Sequence, residues 1–152
     1  MTQIQLDWDL NAERSRRLLE FCTRRGAECF TATLWYWRKS QLEEANRRFF
    51  DKLPPHSLGK RTLENMTVFE GHERFESQEC WSLNGDTIDL ILSVFGGSLT
   101  DHEEGRTPEN LAIYRGEMCF LGFISHEKYA FMRLGEDDLE EFGKLRLAFK
   151  RL

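Results

Sequence analysis

FESQECWSLNGDTIDLILSV, residues 75–94, decides how much of this chain is sheet. Asn84-Gly85 lies at its middle, and Asn-Gly supplies the positive φ angles of a tight two-residue hairpin turn. Read as a hairpin, the stretch pairs Trp81 with Ile88 and Phe75 with Val94. Ile88, Leu90, Leu92 and Val94 then share one apolar face. That register sets Glu79 beside Trp81 and opposite Leu90. A carboxylate on an apolar face has its pKa raised by burial, which makes Glu79 a candidate acid–base group. A water-filled hairpin end or a basic partner is the plainer account of it.

Working outward toward the N-terminus, residues 56–65 read as loop, and Met66 to Glu70 as a short strand. Pro54-Pro55 ends a helix that Ser40-Gln41-Leu42-Glu43 opens with a capping box, and Leu42, Ala45, Phe49 and Leu53 recur along it at helical spacing. Ala27 to Trp37 is apolar on both alternating faces, as a central strand is. Asn11 to Arg25 is an amphipathic helix, capped by Asn11 or Asp9 and stopped by Gly26. Ile4, Leu6, Trp8 and Leu10 alternate with polar residues as in a half-buried strand.

Toward the C-terminus, residues 96–109 form a loop. Leu111–Tyr114 and Glu117–Ser125 then pair about Arg115-Gly116, and Tyr129–Leu134 adds another strand. A last helix starts near Asp137, with Glu140 at the capping-box position and Leu139, Phe142, Leu145 and Phe149 on its buried face. The order predicts a single α+β domain over 1–152: an antiparallel β-meander packed with about three helices, the last of them C-terminal and amphipathic.

The 12 Phe, 4 Trp and 3 Tyr supply enough bulk for a core in a 152-residue chain. No apolar run reaches the length of a membrane span, and Met1 to Leu10 has no secretory pattern. Cys22, Cys29, Cys80 and Cys119 lack CxxC spacing and read as reduced thiols in a cytoplasmic protein. The net charge of −5 is divided unevenly: 12 Lys and Arg face 8 Asp and Glu in residues 1–61, against 9 and 18 in the remainder. An acidic total argues against nucleic-acid binding by the whole surface, without excluding a local basic patch on the first helix.

Three histidines precede a glutamate: His72-Glu73, His102-Glu103 and His126-Glu127. Strand directions place all three at one end of the sheet, where imidazole and carboxylate can hold a divalent metal or exchange protons. A flat sheet would still separate His72 from His126 by roughly 15–20 Å, so a shared metal needs strong curling. Trp35-Tyr36-Trp37 fits a ligand platform or, more plainly, packing. No P-loop, dinucleotide fingerprint or nucleophile elbow is present. The leading expectation is therefore a non-enzymatic protein-binding domain of the inhibitor, immunity or antitoxin kind. Its contact surfaces would be Arg16, Arg17 and Arg24 on the first helix and Asp101, Glu103 and Glu104 in the acidic loop, with no cofactor. The alternative is a small-ligand-binding or metal-dependent enzyme domain built on His72, His102 and His126.

Overall fold

The chain alternates strand and helix before settling into a run of strands. In the computed structural model, which describes residues 1–34, 43–66 and 74–152, the order is β1 (Thr2–Leu6), α1 (Ala12–Arg24), β2 (Cys29–Thr33), α2 (Glu44–Asp51), β3 (Ser57–Glu64), β4 (Phe75–Ser82), α3 (Gly85–Val94), β5 (Glu109–Arg115), β6 (Met118–Ile124), β7 (Tyr129–Leu134), α4 (Glu136–Gly143) and β8 (Phe149–Arg151). The strands form one open antiparallel sheet in the order β3-β4-β2-β5-β6-β7-β1-β8. The α+β class read from the sequence holds. So do the hairpin of β5 with β6 and the interior position of β2. The capping box at Ser40, the Trp35-Tyr36-Trp37 platform, His72 and most of the short strand from Met66 lie outside the described residues.

Asn84 opens a helix, not a hairpin. Its side-chain oxygen accepts from the Thr87 amide at 3.0 Å, and the Thr87 hydroxyl accepts from the Asn84 amide at 2.9 Å. This reciprocal cap satisfies amides that a helix start leaves orphaned. At the far end Gly96 and Gly97 take positive φ, and their amides return to the carbonyls of Ser93 and Leu92. That closure is a Schellman motif, which needs a left-handed residue. Ile88, Ile91, Leu92 and Phe95 are buried at helical spacing. The expected pairs Trp81–Ile88 and Phe75–Val94 do not form. Glu79 faces Lys60 of β3 instead of Leu90, and it is exposed.

Two further boundaries differ from expectation. Residues 57–64 are an edge strand, not a loop, and most of its side chains are exposed. An edge strand with two wet faces carries no apolar alternation to betray it. The last helix is capped at Gly135, whose amide donates to Asp138, and it stops at Gly143. Arg146 then adopts a φ of 54°, and Phe149–Arg151 pairs with β1. The extra strand covers an edge of β1 that would otherwise leave backbone groups unpaired.

The helices bury one face of the sheet. Leu18 and Phe21 of α1, Phe49 of α2, Ile91 of α3 and Phe142 of α4 join Ile4, Phe30, Ile113 and Met132 in the main core. Alternate strand residues Cys29, Cys80, Ala112, Tyr114 and Phe131 form a smaller cluster behind it with Leu63. There the end of β3 folds across the sheet. The Glu64 amide donates to the Glu117 carbonyl at 2.8 Å, and the Tyr114 hydroxyl donates to the Glu64 carbonyl at 3.0 Å. The buried Glu64 carboxylate accepts from the Cys119 amide and pairs with Arg133.

A latch centred on the buried Asp138 ties α4 to α1 and β5. Asp138 accepts from Arg25 Nε at 2.8 Å and from Arg115 Nη2 at 2.9 Å. Hydrogen bonding to Arg115, reinforced by Arg25 and the Gly135 amide, outweighs burial and takes its carboxyl down to about 2.

Candidate functional site

β5 begins and β6 ends at the same edge of the sheet, so Glu109 and Ser125 are neighbours. A bulge lies between the Thr31–Ala112 and Thr33–Glu109 pairs of β2 and β5. Within it Asn110 has a φ of 49°, a left-handed conformation that costs a residue with a Cβ. Asn110 and Ser125 clasp each other: the Asn110 amide donates to Ser125 Oγ at 2.9 Å, and the Ser125 amide donates to Asn110 Oδ1 at 3.1 Å. Ser125 begins the short 3-10 turn that carries His126.

The loop before β5 supplies the second histidine. Thr107 is wholly buried. Its hydroxyl accepts from the Glu103 amide, donates to the Glu103 carbonyl, and lies 2.7 Å from His102 Nδ1. Thr107 thereby turns the other ring nitrogen toward Glu109. α2 braces the same loop, since the Glu43 amide and Asn46 Nδ2 both donate to the Gly105 carbonyl.

The three side chains meet there. His102 Nε2 is 2.9 Å from Glu109 Oε1, and His126 Nε2 is 3.5 Å from Oε2. The rings stand nearly perpendicular, with centroids 6.2 Å apart. Glu109 is 2% exposed, while the His126 side chain is 56% exposed. Although the distances are short, neither Glu109 oxygen receives a well-directed hydrogen bond. The two imidazoles thus face a nearly buried carboxylate at contact distance without completing its hydrogen bonding.

A cleft of about 530 Å³ reaches the neighbours of this cluster, though not His102, Glu109 or His126 themselves. β2 and β4 pair only at Cys29–Ser82 and Phe30–Trp81. The cleft occupies the space beyond those pairs, where Thr33, Asn110, Glu76, Glu79, Trp81 and Tyr114 line it. Thr33 is the register partner of Glu109 and Asn110 its chain neighbour, so cluster and cleft share a wall. The volume suits a small organic molecule.

Of the expected histidines, the structure brings His102 and His126 together. Among the described residues no three His, Cys, Asp or Glu side chains are arranged to hold one metal ion. Glu109, the centre of the cluster, escaped the sequence reading because it lies where a loop was expected. The two expected protein-contact surfaces are partly neutralised from within. Arg16 pairs with Asp89 and Glu20, whereas Arg106 pairs with Asp101 and Glu103. Glu104 has one buried oxygen without a hydrogen-bond partner. The four cysteines are buried and free. Burial pushes the thiols of Cys29 and Cys119 up to about 12, far from nucleophilic thiolates.

Compared with known proteins, the chain matches no family model, no curated protein and no solved structure. No helix among the described residues is long and apolar enough to cross a membrane.

Proposed function

We propose that this protein binds a small, positively charged organic ligand in the cleft between β2 and β4, one strand position away from the cluster of Glu109 with His102 and His126. One observation carries the reading: Glu109 is buried between two histidines without a well-directed hydrogen bond. A fold gains little from such a group, and strained or unsatisfied polar residues gather where a ligand completes them. Strain at Asn110, one residue away, supports the same position. His126, about half-exposed, is the more accessible member of the cluster, and Glu109 lies behind it.

The charge of the cleft supports the ligand class. Glu76 and Glu79 line it and form no ion pair among the described residues, and Trp81 offers an aromatic wall. Carboxylates with an indole face suit an ammonium or guanidinium group. Internal pairing of Arg16, Asp101 and Glu103 lowers the charge available for a protein partner on the two surfaces expected to supply it.

The test is a two-dimensional NMR screen of the isotope-labelled protein against small amines, with the corresponding neutral alcohols as controls. Saturable shifts grouped on Thr33, Asn110, His102 and His126, and lost in Glu79→Gln, are expected. Equal response to amines and alcohols, or shifts scattered over the surface, would overturn the reading.

A further inference from the structure

A second surface is independent of the cleft. Helix α1 and the chain leaving α4 enclose an open groove lined by Arg17, Arg24, Arg25 and Lys144, with Glu20 and Glu141. Its cations are not equivalent. Arg25 is held by Asp138 and Lys144 by Glu141. Arg17 and Arg24 make no ion pair among the described residues. They lie seven residues apart, two turns of one helix face, which separates them by about 10 Å along the axis.

We propose that this groove is a docking site for an extended acidic segment of a partner protein, which sets two carboxylates on Arg17 and Arg24. The spacing fits a segment in the extended polyproline-II form, in which residues three apart lie on one side of the chain and about 9 Å from each other. Glu20 and Glu141 line the same groove and disfavour a continuous polyanion more than a ligand with two discrete charges. A nucleic-acid strand places a phosphate at every nucleotide and would meet both acids as well as the net −5 of the whole chain. Asp138 ties the two walls of the groove together, holding Arg25 at the end of α1 to α4.

The experiment is an NMR titration of the full-length labelled protein with a ten-residue peptide of glycine and glutamate, its two glutamates three positions apart. Shifts confined to α1 and residues 141–145 are expected, with affinity falling about tenfold in an Arg17→Gln/Arg24→Gln double variant. An Arg14→Gln variant, which alters an exposed arginine away from the groove, should bind as the parent does. Circular dichroism confirms that each variant is folded. Equal binding by the double variant, no binding by the parent protein, or tighter binding of a ten-nucleotide single strand at the same sites would each overturn the proposal. The amine screen reads a different set of amides, so either proposal can fail alone.

Discussion

His102 Nε2 lies 2.9 Å from Glu109 Oε1, although the two residues come from a loop and a strand start with no common regular structure. The contact buries a carboxyl group whose hydrogen bonding is left incomplete. Glu109→Gln keeps the shape and removes the charge. Equilibrium urea unfolding at pH 7 should show stability unchanged or raised by about 1 kcal/mol, as happens when a residue serves binding more than folding. A loss above about 2 kcal/mol would instead make the carboxylate a structural staple and remove the observation on which the ligand reading stands.

Asp138 predicts the acid limb of the stability curve. Its folded pKa, about 2, lies below the ordinary value of 3.8 because Arg115 and Arg25 hold the charged form. A group with a depressed folded pKa contributes stability above its unfolded pKa and loses it as the pH falls through the folded one. Stability should therefore decline between about pH 4 and pH 2, by roughly 2 kcal/mol from this group. Asp138→Asn should lose a similar amount at pH 6 and show a flatter profile below pH 4. Urea midpoints measured across that range check both the size and the sign.

Gly85 separates the helix from the hairpin. In a tight Asn-Gly turn the glycine requires positive φ, so alanine there would be costly. In the structure Gly85 is the first residue of α3, its φ is not positive, and an added Cβ meets nothing within 4 Å. Gly85→Ala should then be neutral or stabilising by up to about 0.8 kcal/mol, the helix preference for alanine. Thermal denaturation decides the matter, and a clear loss would contradict the helix start.

The same stretch shows what a sequence of this kind leaves ambiguous. Ile88, Leu90, Leu92 and Val94 alternate, yet Ile88, Ile91, Leu92 and Phe95 fit a helix equally well, and apolar runs satisfy both periods. The caps decide: Thr87 returns the Asn84 bond, and Gly96-Gly97 closes the other end. Both signals are legible in the residues, but only when read together. β3 was not legible, because an exposed edge strand such as Lys60-Arg61-Thr62 looks like loop. His102 and His126 stood out as polar dipeptides in turns. Their meeting point did not, since Glu109 depends on a bulge and a left-handed Asn110 that no periodicity announces.

Asn110 positions His126 through Ser125, and two substitutions separate its two roles. Asn110→Gly adopts the left-handed φ freely, a gain below about 1 kcal/mol because Asn tolerates that region better than other residues with a Cβ, but deletes the oxygen that accepts from the Ser125 amide, a bond worth about 1 kcal/mol. Its stability should stay within about 1 kcal/mol of the parent. Asn110→Ala loses the bond and adds left-handed strain that Asn largely avoids, so it should fall about 1 kcal/mol below the glycine variant. Both release the turn that holds His126 beside Glu109, so its ring resonances should move in both variants while those of His102, anchored by Thr107, stay in place. If the His126 resonances instead match the parent in the glycine variant, the clasp does not position that ring, and the strain at Asn110 serves the β2–β5 bulge alone.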